Sequence, residues 1–174
     1  ALLSRGLGDV YKRQPHGGPN ARDYWGYNAE HQFLASRGYA VLSMNFRGSL
    51  GYGREHVKKA NGQWGRKMQD DVTDSVAWAV DQGIADPDNV CIYGASYGGY
   101  AVMAGITKTP DLYKCAVNYV GVTDMGLLFS KTPKVWEIWE EQQKIEIGDY
   151  DNDKEYLDAV SPINLVDRIE TPLY

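Results

Sequence analysis

Histidine is scarce in this 174-residue chain: His16, His31 and His56 are all it has, and none follows position 56. Chemistry that needs an imidazole late in the chain is therefore excluded from the sequence as given. Positive charge is also short. Eighteen Lys and Arg against 23 Asp and Glu leave a net charge of -5, which argues against nucleic acid as a partner, because a phosphate binder needs a basic face. No apolar run approaches the roughly 18 residues of a membrane span. The two cysteines, Cys91 and Cys115, could pair as one disulfide or stay free. Each falls in a predicted core strand and is expected there as a buried free thiol behaving as a small hydrophobe. No histidine-cysteine cluster has metal spacing, so neither a metal nor a cofactor is expected. An initiator methionine and a signal-peptide pattern are lacking, and the choice between cytoplasm and periplasm stays open.

What is present describes one globular domain, with 43% hydrophobic and 24% charged residues. Residues 1–14 fit nothing that follows and resemble a translated cloning adaptor, so the domain is expected over 15–174. The end, Thr171-Pro172-Leu173-Tyr174, reads as the entry into another strand. The domain is thus expected to be incomplete, with the core faces of Val41, Met44, Ile92 and Val117 only partly covered.

Elements alternate along the chain. A helix is predicted over Trp25–Arg37, with Tyr27, His31 and Leu34 on one face and Gly38 as a stop. Tyr39–Phe46 is nearly all apolar, as for a strand buried on both faces. A glycine-rich loop follows to Gly65. Asp70–Gln82 reads as a helix with acids in its first turn, Val90–Tyr93 as a strand, Tyr100–Thr107 as a helix, and Cys115–Val120 as another strand. Val135–Gln143 is predicted as an amphipathic helix, Gly148–Lys154 as an acidic loop, and Ser161-Pro162 as the start of a short helix to Arg168. This alternation predicts an α/β fold, a mostly parallel sheet with helices on both faces.

The most informative residues are Gly94-Ala95-Ser96-Tyr97-Gly98. A G-x-S-x-G between a strand and a helix is a nucleophile elbow: the serine sits at the apex of a sharp turn, and side chains two positions away would make strand and helix collide. Ser96 is the candidate nucleophile. The amide of Tyr97, at the helix N-terminus, can donate to a developing oxyanion. The motif lacks the following lysine of a phosphate loop. Upstream, the glycine pair of His16-Gly17-Gly18-Pro19 lets a backbone amide approach a substrate oxygen, which makes the Gly18 amide the second oxyanion donor. His16 is expected to order this loop rather than act as base.

Those two motifs, with Asn45-Phe46-Arg47-Gly48-Ser49, Gly51-Tyr52-Gly53, Trp64-Gly65, Asp70-Asp71 and Gly99-Tyr100-Ala101, resemble the peptidase domain of the prolyl oligopeptidase family, nearest its acylaminoacyl and dipeptidyl peptidase branch. The resemblance runs from Pro15 to Tyr174. It implies a partial α/β-hydrolase fold, acyl transfer from short peptides through Ser96, and an N-terminal β-propeller in the whole protein. It also implies a triad Asp and His lying beyond residue 174, so that the chain alone is expected to be inactive. A carboxylesterase of the same fold and a non-catalytic fragment or interaction module are the alternatives.

The remaining candidates have bland readings beside the functional ones. Phe129, Trp136 and Trp139 could wall an apolar substrate pocket or simply pack a core. Asp124 could be a triad acid in some hydrolases but is expected to structure its loop. Asp70 and Asp71 are expected to act as helix N-terminal charges. A His56, Asp71, Ser96 triad has the chain order of an unrelated β-barrel fold.

Overall fold

The computed structural model describes residues 10–131 and 134–174. Four strands form one wholly parallel sheet: β1 (Val10–Gln14), β2 (Tyr39–Ser43), β3 (Val90–Ala95) and β4 (Cys115–Tyr119), in the order β2-β1-β3-β4. The helices are α1 (Ala29–Ala35), α2 (Arg54–Lys58), α3 (Lys67–Asp81), α4 (Tyr97–Lys108), α5 (Met125–Ser130), α6 (Glu140–Glu146) and α7 (Lys154–Ala159).

Residues 10–14, assigned by the sequence to the segment outside the domain, form a central strand. Val10–Gln14 pair with all of β2 on one side, and Tyr11–Arg13 with Val90–Ile92 on the other. A parallel sheet needs an extended segment between β2 and β3, and backbone pairing accepts it whatever its side chains. Residues 1–9 of that segment lie outside the described residues. At the other end the nascent strand is present: Ala116 bridges Leu173, and Asn118 N–H donates to the Tyr174 carbonyl at 2.9 Å.

The chain crosses from β1 to β2 on one side, then returns past β1 to place β3 on the other. The sheet therefore has a switch point between β1 and β3, and in open α/β sheets the crevice outside the carboxyl ends of such strands is where ligands bind. The loop holding His16–Pro19 leaves β1 there, and Ser96 leaves β3.

Side-chain alternation puts helices on both faces. Val90 and Ile92 of β3 are fully buried against Val72 and Val76 of α3 and Val102 and Ile106 of α4. Tyr93 points the other way, to α1, where its hydroxyl donates to Glu30; that bond, with burial, pushes the phenol up to about 12. Coverage by α3 and α4 also corrects the expectation for Ile92, which has no exposed surface. The second core cluster holds Phe46, Trp64, Met68, Tyr97, Tyr100, Met125 and Leu157. Helix α4 serves both clusters and is buried from Tyr97 to Thr107. Deleting a side chain such as Ile92 or Ile106 to alanine in so dense a core costs about 2–5 kcal/mol.

Four local expectations change. The helix predicted from Trp25 begins only at Ala29, where the Asn28 side chain caps it; Trp25 and Tyr27 lie exposed ahead of it. β2 is half-buried along its length rather than buried on both faces, because it is an edge strand. The helix predicted over Val135–Gln143 is a 3-10 turn, Lys134–Trp139, leading into α6. Cys91 and Cys115 are not free thiols. They stand opposite each other in the β3–β4 register, with Cα atoms 4.7 Å apart, and are joined as a disulfide, a separation within the range such bonds require.

Candidate active site

Ser96 has φ 56° and ψ -119°, a backbone conformation that a residue with a side chain rarely adopts. The surrounding close packing imposes it. A Cβ at Gly94 would strike the backbone of Gly98, and one at Gly98 would strike the Pro15 carbonyl. The strand, the helix and the loop after β1 thus meet with no room for side chains at these two points. Ser96 itself is exposed at the apex. This conformation, at a cost on the order of 1–3 kcal/mol, sets Ser96 at the N-cap of α4, where its side chain makes no cap hydrogen bond.

The loop after β1 lies against this apex. A Cβ at Gly17 would stand 3.3 Å from the Ala95 carbonyl and 3.6 Å from Ser96 Cβ. Gly18 follows with φ 123°, open only to glycine at low cost. Gly18, Ser96 and Tyr97 line one cleft of about 430 Å³, together with Pro19, Asn20, Trp64, Val122, Leu128, Trp136, Trp139, Gln142, Gln143, Glu146 and Ile147. The first amides of α4 have no intrahelical acceptor, so the helix presents donors at that spot.

Tyr97 contributes backbone only. Its ring is buried against Trp64 (centroids 4.5 Å apart), Phe46 (5.3 Å) and Tyr100 (5.8 Å), and this desolvation drives its phenol far above the ordinary value. Phe46 also stacks on the His16 imidazole at 4.3 Å. One ring therefore braces both the loop after β1 and the start of α4. Asp71 holds Phe46's neighbour in place: its carboxylate accepts from Arg47 N–H at 2.9 Å, Nε at 2.8 Å and Nη2 at 2.6 Å, and this bond raises the Arg47 guanidinium above its usual range.

The histidines are engaged elsewhere. His16 is buried, with Nδ1 donating to the Gly17 carbonyl and Nε2 accepting from Ser49 Oγ, both at 2.8 Å. His31 Nε2 meets Gln14 Oε1 at 2.8 Å, and His56 Nε2 donates to the Phe46 carbonyl at 3.1 Å. His56 and Asp71 line a separate depression of about 710 Å³ that shares no residue with the Ser96 cleft. The His56, Asp71, Ser96 arrangement is therefore not assembled. Asp70 pairs with Lys108 at 2.6 Å. Asp124 caps α5, accepting from Leu127 N–H at 3.0 Å, as expected of a loop-structuring residue.

Of the three aromatics suggested as pocket walls, Trp136 and Trp139 line the cleft. Phe129 does not; it packs on the second core cluster beside Tyr150, ring centroids 6.3 Å apart. Asn20 and Glu146 were missed. They are 126 residues apart, and only the fold brings Asn20 Nδ2 within 2.7 Å of Glu146 Oε1. Trp64 was visible only as part of the family-like Trp-Gly pair.

The model of the prolyl oligopeptidase family matches residues 25–174. Dipeptidyl aminopeptidase BIII of Pseudoxanthomonas mexicana is 48% identical over 160 residues, covering 91% of this chain and 23% of its own. Dipeptidyl peptidase family member 6 of Caenorhabditis elegans is 38% identical over 161 residues, covering 91% and 22%. Among solved structures, a puromycin-hydrolyzing peptidase of Mycobacterium tuberculosis superposes with a TM-score of 0.89 at 31% identity, covering 98% of this chain and 25% of its own. The chain spans about a quarter of the length of these relatives. The fold is that of the α/β-hydrolase peptidases, as the sequence predicts.

Proposed function

The chain belongs to the prolyl oligopeptidase family, and from that membership we propose that it carries the nucleophile and oxyanion hole of a serine peptidase acting on short peptides. The observation that carries the reading is the exposed Ser96 at φ 56°, in one cleft with Gly18 and Tyr97. Ser96 Oγ attacks the peptide carbonyl. The carbonyl oxygen becomes an oxyanion and takes hydrogen bonds from the Gly18 and Tyr97 amides, which are fixed before the reaction begins. A general base takes the Ser96 proton during attack and returns it to the leaving nitrogen as the tetrahedral intermediate collapses. This frees the amine and leaves an acyl-enzyme that water hydrolyses by the same proton relay.

None of the chain's three histidines bonds to Ser96. The base, its orienting acid and a β-propeller that screens out large substrates belong to the rest of the enzyme in this proposal. Without the base, help worth roughly 10²–10⁴-fold is lost, and the chain by itself turns over negligibly.

A fluorophosphonate probe and paired peptide and ester substrates test the reading on the full-length protein. Labelling at Ser96, with peptide hydrolysis abolished by Ser96→Ala, is expected. Hydrolysis of esters alone would favour a carboxylesterase, and absence of both labelling and turnover would favour a non-catalytic module.

A further inference from the structure

Two residues other than glycine have a positive φ among the described residues, Ser96 at 56° and Val120 at 49°. They stand at the same level of the sheet. β3 and β4 pair in parallel up to Ala95 and Tyr119, so Ser96 and Val120 come next on neighbouring strands. A hydrogen bond ties the two strand ends: the Ser96 N–H donates to the Tyr119 carbonyl at 3.0 Å. The glycines of the elbow account for Ser96, but Val120 lies outside it. A β-branched residue at positive φ is an outlier, and Val120 is 73% exposed, so burial of its side chain does not offset the cost.

Such a conformation persists only where its surroundings dictate it. Here Asn118 does so: its Oδ1 accepts from the Gly121 N–H at 3.0 Å and closes a turn around Val120. The turn lies flush against α4. A Cβ at Gly121 would strike Asn118 Oδ1 and the Gly99 backbone, and a Cβ at Gly99 would strike the same oxygen and the Gly121 backbone. Asn118 is fixed from the other side as well, its N–H donating to the Tyr174 carbonyl at 2.9 Å. The first turn of α4 is thus gripped twice, by Pro15 at Gly98 and by Gly121 at Gly99. The peptide group that carries the Tyr119 carbonyl leads directly into the bond that φ of Val120 describes. With Gly121 docked on Gly99, a change in that φ swings the carbonyl, and the Ser96 N–H loses its acceptor.

From this relationship we propose that Asn118 is a positioning residue for the nucleophile. It locks the turn after β4 so that the Tyr119 carbonyl holds the Ser96 backbone, and with it the Tyr97 amide, in the orientation that attack requires. Asn118 acts through this carbonyl and not on the substrate. The inference rests on the peptidase reading and deepens it by naming a residue outside the elbow on which Ser96 depends.

The test uses the full-length enzyme with Asn118→Ala, which removes the acceptor, and Asn118→Asp, which keeps it. With a fluorogenic peptide substrate, Asn118→Ala is expected to lower kcat by about 10–10²-fold, the scale of a misplaced reacting group. KM should change by less than about threefold, because the loss falls on the transition state. Asn118→Asp should bring kcat back to within about threefold of the wild type, since its carboxylate can accept the same bond. An unchanged kcat in Asn118→Ala, or an equal loss in both variants, overturns the proposal.

Amide hydrogen exchange of the wild type, read residue by residue by fragmentation mass spectrometry, needs neither turnover nor a folded variant. One opening of the turn should expose both the Gly121 and the Ser96 amides, so their protection factors are expected to agree within about tenfold. A wider gap would mean that the turn opens without releasing Ser96, and it would also overturn the proposal. Failure of the wild type to label at Ser96 and to cleave peptides would instead remove the peptidase reading, leaving the exchange comparison to decide the role of Asn118.

Discussion

Ser49 Oγ donates a 2.8 Å hydrogen bond to Nε2 of His16, 33 residues away, and both side chains are buried. Because Nδ1 of the same ring faces the Gly17 carbonyl, an acceptor only, Nδ1 carries the proton and Nε2 is left to accept. The imidazole is thereby a strut between the Asn45–Ser49 loop and the glycine loop that lines the Ser96 cleft. Ser49→Ala strands a buried acceptor, at a cost of about 1–3 kcal/mol. It should also let the Gly18 amide drift. We expect kcat of the full-length enzyme to fall on the order of tenfold, less than the 10²–10³-fold of deleting an oxyanion donor outright. Steady-state kinetics with KM resolved from kcat checks this, and an unchanged kcat would deny His16 and Ser49 a positioning role.

The elbow makes opposite forecasts for neighbouring residues. Gly94→Val and Gly98→Val place atoms where backbone already lies and should abolish folding. Ser96→Ala should alter stability by no more than about 0.5 kcal/mol while abolishing probe labelling. Ser96→Gly removes the penalty of the positive φ and should stabilise by about 1 kcal/mol. Urea denaturation midpoints measure the two Ser96 variants, and absence of a cooperative transition marks the two glycine variants.

Asp23 should make stability depend on pH. Burial is the main influence on its carboxyl and holds it above its ordinary 3.8, opposed by the nearby His16 and His31. Its Oδ2 is buried and has no hydrogen-bond partner among the described residues. An acid whose folded value is raised binds its proton more tightly in the native state. Its penalty is therefore absent below pH 3.8 and grows as pH rises through the window up to the folded value. Asp23→Asn should stabilise the protein at about pH 7 and have little effect at about pH 3. Thermal unfolding of both proteins at the two pH values is the check; a pH-independent difference would show that Asp23 titrates alike in both states.

The Cys91–Cys115 disulfide closes a loop of sequence separation 24. By chain-entropy reasoning such a link contributes about 3 kcal/mol through the unfolded state. Dithiothreitol should lower the urea midpoint of the wild type and leave that of a Cys91→Ala, Cys115→Ala double variant unmoved. Equal sensitivity of the two proteins would indicate that the thiols are not joined in solution.

Local sequence determined much of this protein. Although Gly98 answers to the distant Pro15 carbonyl, the strand-to-helix switch around Ser96 was legible because Gly94 is required by the nearby Gly98 backbone. The same holds for α3, whose apolar spacing marks its buried face, and for Asp124, whose cap bond spans three residues. The His16–Pro19 glycines marked by composition a loop that packs closely against the elbow. Strand order, register and long-range pairing were decided only in three dimensions. Val10–Gln14 became a central strand because the sheet leaves a gap there, β2 became an edge, and Cys91 met Cys115 through register alone. Glu146 reached Asn20 across 126 residues, and Phe129 turned to the core while Trp136 and Trp139 faced the cleft. Backbone sterics and capping act over a few bonds and leave a mark in adjacent residues. Pairing and cleft lining depend on packing energies shared among distant segments, which no single stretch of sequence encodes.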